Sequence, residues 1–204
     1  MPTRPAEQPP ARPLRADARR NRARLLEVAE AVFTARGTTV PTEEIAREAG
    51  VGVGTLFRHF PTKEALLEAV LLSRLDRLAE EATRLAADET PGDAFFAFFA
   101  QVVDHSSTKN AFAEALSAAG VDVRQATSDV GQTLRKALAS LLADAQRAGA
   151  VRPDLGVPEL TALLVGTHRM MEHLGDDSAA RERTFAVVFD GLRPPRASGD
   201  PKAW

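Results

Sequence analysis

Three glycines and three basic side chains crowd one short stretch of the chain. Gly50, Gly52 and Gly54 alternate with Val51 and Val53, and Arg58, His59 and Lys63 follow. Spacing of this kind has two chemical uses. Glycines can cradle the phosphates of a cofactor, or they can leave a helix start bare enough to lie against the phosphates of a duplex. The cofactor reading needs a strand before the glycines and a helix after them. Here "TEEIAREA" precedes them with helical period, the spacing is G-x-G-x-G, and no Gly-Lys-Ser/Thr follows. The second use fits a helix-turn-helix, two short helices around a glycine turn. Gly50 is the expected positive-φ turn residue, and Val51 fills the angle between the helices. Leu56 and Phe60, four apart, face inward, and Val53, Gly54, Phe57 and Arg58 are left facing outward.

Other reactive pairings are weaker. His168 and Glu172 stand at i and i+4, a spacing that could ligate a metal, but no third ligand is evident and a helix-surface pair is the simpler reading. His105, Ser106 and Ser107 are neighbours in sequence without a nucleophile elbow. There is no cysteine, so thiolate chemistry, disulfides and cysteine-ligated zinc are excluded. No enzyme activity, cofactor or metal is expected.

The elements that position these residues read as helices throughout. Leu25, Ala29, Val32 and Phe33 make one apolar stripe of a helix that starts near Arg19 and ends at Gly37. "TEEIAREA" and a short helix from about Val53 to Phe60 follow. After Pro61-Thr62 comes the long helix "KEALLEAVLLSRLDRLAEEATRLAA". "AFFAFFAQVV" is apolar nearly all round, which implies burial. "NAFAEALSAA", "VGQTLRKALASLLADAQRAGA", "VPELTALLVGTHRMMEHL" and "SAARERTFAVVFDGL" complete an all-α chain of about nine helices. Residues 1–18 carry five prolines and a run of arginines and are expected to form a disordered basic arm. The DNA-binding domain is expected over residues 19–66, with the helix-turn-helix at about 42–61. A larger helical domain is expected over 67–192, and residues 193–204 as a loose tail.

Net charge is −2, but its distribution is uneven. Through Glu64, 11 Lys and Arg face 8 Asp and Glu; from Ala65 onward, 15 face 20. A basic front on an acidic body suggests that one end meets a polyanion. The N-terminus lacks the apolar stretch of a signal peptide, and no apolar run is long enough to span a bilayer. No membrane association is expected, and a cytoplasmic location is.

"RLLEVAEAVFTARG" followed by "EEIAREAGVGVGTLFRHFPTKEALLEAV" resembles the N-terminal domain of TetR-family transcriptional regulators, continuously from about Arg20 to Val70. The resemblance implies a homodimer on a palindromic operator in double-stranded DNA, with a larger helical body that binds a small effector. It implies phosphate contacts from Thr42, Thr55, His59 and Lys63, and base or groove contacts from Val53 and Gly54, with Phe57 and Arg58 beside them. Lys63 also has an independent argument: a cation in the first turn of a helix opposes the macrodipole, which makes sense beside an anion. Two positions depart from the family. Phe57 stands where tyrosine is usual, and Pro41 stands at a usual Ser/Thr cap. Base reading by hydrogen bonds therefore looks sparse, with Arg58 as the one strong candidate for guanine. Readout by DNA shape is expected, aided by arginines of the front arm in the minor groove.

In the body, Phe96, Phe99, Phe112, Leu116, His168 and Met171 are the candidate lining of a mostly apolar effector pocket, with plain core as the alternative reading of each. Leu160, Leu164, Met170, Phe185, Val188, Phe189 and Leu192 are the expected dimer interface, a four-helix bundle with the symmetry mate. The leading expectation is a repressor released from DNA by its effector. The rival is a helical small-molecule-binding or scaffold protein with a weak or vestigial DNA head.

Overall fold

The computed structural model describes residues 12–195, with side chains described except at 12–19, 105 and 107–109. All regular structure in that span is helical: α1 (Arg12–Arg36), α2 (Thr42–Glu48), α3 (Val53–His59), α4 (Lys63–Asp88), α5 (Pro91–Ala118), α6 (Val123–Ala126), α7 (Ser128–Arg147), α8 (Val157–Leu174) and α9 (Ser178–Leu192). The chain divides into two compact units between Val70 and Leu71, inside α4. The division falls four residues beyond the boundary expected at 66.

The first unit is built on local rules. α1 contributes Leu25, Ala29, Val32 and Phe33 to the interior, α2 Ile45 and Ala46, α3 Leu56, and α4 Leu66 and Val70. α2 ends in a hydrogen-bonded cap. Gly50 N–H donates to Arg47 O at 3.1 Å and Val51 N–H to Ala46 O at 3.0 Å, with Gly50 at φ +68°. Arg36 at the end of α1 pairs with Glu44 at 3.2 Å and with Glu48, tying α1 to α2. Thr62 caps α4 by accepting from Ala65 N–H at 3.1 Å.

Helix α1 begins earlier than expected. Residues 1–11 of the anticipated arm lie outside the described residues, but from Arg12 the backbone is helical, not disordered. The reason is compositional. Pro13 sits in the first turn, where its missing N–H costs nothing, and the alanines, arginines and leucine that follow are good helix formers. Of the expected tail, residues 196–204 also lie outside the described residues.

The second unit is organised around α5, which packs most extensively against α8 and α7. The segments "AFFAFFAQVV" and "NAFAEALSAA", read separately from sequence, form this one helix. No glycine or proline interrupts the stretch between them, and Ser106 donates its hydroxyl back to Val102 O at 2.6 Å. Among the described residues there are nine helices, because the short α6, which has no periodic signal, adds one. Phe95, Phe98, Phe99 and Val103 are each 1% exposed and share a core with Leu141, Leu142, Leu160 and Leu192. Arg181 knits the far end by donating to Met171 O at 3.3 Å and pairing with Asp104 at 3.2 Å. Glu81 on α4 accepts two bonds from Arg84, at 2.6 and 2.7 Å, and one from Gln101 of α5 at 3.0 Å. Arg84 first, then Gln101, hold its carboxyl down at about 2.

Two stability outcomes follow from these contacts. Gly50→Ala is expected to cost about 1–2 kcal/mol by the left-handed backbone alone. A Cβ there would meet only Arg24 Nη2 at an ordinary 3.7 Å, so crowding adds nothing; urea denaturation measures the loss. Glu81 binds protons less readily folded than unfolded, so its contribution is present above the ordinary carboxylate pKa and is lost as pH falls from there toward about 2. Glu81→Gln should therefore flatten part of the acid limb of the melting-temperature profile and leave its neutral region's slope unchanged.

Candidate nucleic-acid interface and interior cavity

The outward face of α3 is apolar and basic. Val53 and Phe57 are 38% and 39% exposed, while Leu56 and Phe60 are buried. Gly54 and Arg58 are exposed, and Thr55, His59 and Lys63 are half-buried. Gly52 takes the N-cap position with no side-chain cap. The first intrahelical donors are Thr55 and Leu56, which reach Gly52 O at 2.8 and 3.2 Å. The N–H groups of Val53 and Gly54 therefore point off the helix end without intrahelical partners. A Cβ at Gly54 would meet nothing within 4 Å. The chain's own packing does not require glycine there, so the bare surface serves whatever approaches from outside.

Among the described residues, no carboxylate forms an ion pair with Arg58, His59 or Lys63, although Glu64 stands beside Lys63 in the first turn of α4 and feels its charge, whereas Arg36 pairs with two carboxylates. Arg22 of α1 lies with its guanidinium 5.1 Å from the centre of the Phe60 ring, and the His59 ring lies 6.3 Å from that ring. Thr42 is placed differently from its fellows. It is only 7% exposed, Pro41 takes the N-cap position at φ −63° without a side-chain bond, and the Thr42 hydroxyl turns to Glu43 Oε2 at 3.4 Å. Of the four expected phosphate ligands, Thr42 is the one whose side chain the fold withdraws from the surface.

The second unit holds a half-open cavity of about 570 Å³. Its walls come from Leu71 and Leu75 of α4, Phe98, Val102, Ser106, Asn110 and Glu114 of α5, Leu134, Arg135 and Leu138 of α7, and Thr161, Leu164, Val165, His168 and Arg169 of α8. Volume and apolar lining suit a small organic molecule. Of the six residues proposed to line a pocket, only His168 borders this cavity, while Phe96 borders a separate, more open one beside Ala148 and Arg193. Phe99, Phe112, Leu116 and Met171 are sealed in the interior. Phe96 packs on Phe189, with ring centres 4.8 Å apart. The helix offers Phe98, Val102 and Ser106 to the cavity instead, one step round from the face chosen from sequence. "AFFAFFA" is apolar in every direction, so its pattern carries no signal for which phenylalanine faces the space.

His168 is 4% exposed, and its Nε2 lies 3.1 Å from Glu172 Oε1. The approach has the distance of an ion-pair contact but not the alignment of a hydrogen bond, so Nε2 remains without a hydrogen-bond partner. Arg169, first, and His168 hold the Glu172 carboxyl below the usual range, against the opposing effect of burial. The pair belongs to a helix surface at a cavity wall, and no group of three or more metal-ligating side chains occurs among the described residues. The side chains of His105 and Ser107 lie outside the described set. No helix among the described residues is long and apolar enough to cross a membrane.

The expected dimer surface is only partly exposed. Leu160, Leu164 and Leu192 are buried within the chain, and Phe185, Val188 and Phe189 pack half-buried against its own core. Met170 is 41% exposed, and beside it in the α8–α9 hairpin Leu163 is 38% and Val187 72% exposed. The sequence stripes of α8 and α9 were those that hold the hairpin to its own body, which leaves the opposite faces for a partner.

Comparison with known proteins agrees with both units. Residues 25–70 match the family described as bacterial regulatory proteins, tetR family, and residues 90–194 match the C-terminal domain of SbtR-like transcriptional regulators. A TetR transcription regulatory protein from Mycobacterium vanbaalenii is 45% identical, with a TM-score of 0.75 over 89% of this chain and 99% of that one. A TetR transcriptional regulator from Streptomyces coelicolor is 36% identical, with a TM-score of 0.72 over 85% of this chain and 98% of that one. The HTH-type transcriptional regulator UidR of Escherichia coli K12 is 26% identical over 190 residues, 88% of this chain and 93% of its own length. An all-helical body behind a glycine-turned helix pair, matched along nearly its whole length, makes this chain a member of the TetR family of DNA-binding transcriptional regulators.

Proposed function

We propose that the chain is a homodimeric repressor that holds a palindromic operator through paired α3 helices and releases it when a mostly apolar small molecule fills the α4–α5–α7–α8 cavity. The observation that carries the effector half is that cavity: about 570 Å³ of mostly apolar space bounded by α4, α5, α7 and α8. α4 begins with Lys63 on the DNA face and, two turns on, supplies Leu71 and Leu75 to the cavity wall. A ligand that prefers one arrangement of α4 would shift the population between DNA-competent and incompetent states. Val53, Gly54, Phe57 and Arg58 meet the groove, and Thr55, His59 and Lys63 meet phosphates. Loss of the hydroxyl at Phe57 leaves the ring for thymine methyls and sugars, so shape carries much of the specificity. The protein acts in the cytoplasm, where its operator is.

Fluorescence anisotropy on the intergenic DNA flanking the gene, against scrambled DNA, tests the reading. Tight, sequence-preferring binding that a bound small molecule reverses supports it; equal weak binding to both duplexes overturns it. Lys63→Ala and His59→Ala should each weaken binding to any duplex and lower the slope of log affinity against log salt by about 1. If neither changes, α3 is not the DNA element. For the dimer, Val187→Glu combined with Met170→Glu should convert a dimer to a folded monomer in light scattering, because both side chains are exposed and neither belongs to the buried core. An unchanged mass would place the interface elsewhere.

A further inference from the structure

The polar groups at the wall of the α4–α5–α7–α8 cavity are unevenly spent. Three hydroxyls border it, and each gives its proton to a backbone carbonyl four residues back. Ser106 donates to Val102 O at 2.6 Å, Thr127 to Val123 O at 2.7 Å and Thr161 to Val157 O at 2.8 Å. Their oxygens keep lone pairs but have no proton left to offer a ligand. Among the polar side chains described at the wall, only His168 is buried, and its Nε2 has no hydrogen-bond partner. An imidazole left in that state costs stability until a partner arrives, and the cavity it borders is a space from which one can come. The charged groups at the wall do not select an ion. Arg135 and Glu114 are both exposed and opposite in sign, and Arg169 is held by Glu172 at 2.7 Å. Glu172 also places a carboxylate oxygen 3.1 Å from His168 Nε2, which disfavours a second carboxylate beside that ring.

We infer that the effector is a neutral, mostly apolar molecule carrying a hydroxyl group that hydrogen-bonds to the His168 imidazole. The inference rests on the effector reading of the cavity and adds the chemical class of its occupant. A hydroxyl suits this wall as other small head groups do not. It both donates and accepts, so it pairs with the imidazole whichever ring nitrogen carries the proton. It also brings a donor to a wall whose own hydroxyls can only accept. An ether or ketone oxygen accepts without donating, and a hydrocarbon leaves the imidazole unpaired. An ionised head would lose its hydration against Phe98, Leu138 and Leu164 with no cation that the fold has buried to meet it. Those same side chains, with Leu71 and Leu75, receive the apolar body.

The test titrates the full-length chain in a calorimeter with probes that share one apolar body: 4-phenylphenol, 4-methoxybiphenyl, 4-methylbiphenyl and biphenyl-4-carboxylate. 4-Phenylphenol should bind about tenfold more tightly than each of the others, because a buried polar partner rejects analogues that cannot pair with it. This series on the wild type needs no variant. In His168→Phe the affinity for 4-phenylphenol should fall to that for 4-methylbiphenyl, while 4-methylbiphenyl binds much as before. His168→Gln, which keeps a donor and an acceptor, should retain part of the preference. Circular dichroism and melting curves check that both variants fold. If all the probes bind alike, the cavity selects apolar shape alone; the hydroxyl inference falls and the effector reading stands. If the carboxylate binds most tightly and Arg135→Gln removes its advantage, the site takes an organic acid, and again only the hydroxyl inference falls. If none of the probes binds, both fall.

Discussion

Burial of α5 is the constraint around which the body is arranged. The first half of that helix is apolar on every side, so no orientation leaves it a face for water. It must be wrapped, and α7, α8 and the later turns of α4 do this. One arc, with Phe95, Phe99 and Val103, closes against Leu141, Leu160 and Leu192 into dense core. The neighbouring arc, with Phe98, Val102 and Ser106, meets walls that stand apart, and the cavity is what remains between them. Core and cavity are thus two sides of one helix. A ligand there would complete a burial that the chain leaves unfinished, which ties ligand occupancy to the packing of the helices around it.

The head was far more legible in sequence than the body, for physical reasons. A helix-turn-helix is specified locally: a left-handed residue at Gly50, apolar residues four apart at Leu56 and Phe60, and a cap at Thr62 all act within a few residues of their partners. Spacing alone therefore placed Val53, Phe57 and Arg58 outward. In the body the decisive contacts join residues far apart in the chain, and periodicity is mute where both faces are apolar. Leu160 and Leu164 make as good a dimer stripe on paper as Leu163 and Met170; only the packing of α8 on α5 separates them. Thr42 shows a related limit: its position at a helix start was readable, but its burial depends on what covers it.

Several surface cations are matched by carboxylates: Arg36 with Glu44 and Glu48, Arg84 with Glu81 and Asp88, Arg152 with Asp154. Surface pairs of this kind add little stability individually, but they neutralise local charge and set side-chain direction. Around α3, Arg58, His59 and Lys63 form no ion pair with a described carboxylate. Lys63 stands at the positive end of its own helix, where the field disfavours it, and Glu64 beside it in the same first turn offsets part of that cost. An anion approaching from outside would offset the rest, which is why a lysine at this position favours anion binding over an otherwise equivalent site with a neutral residue.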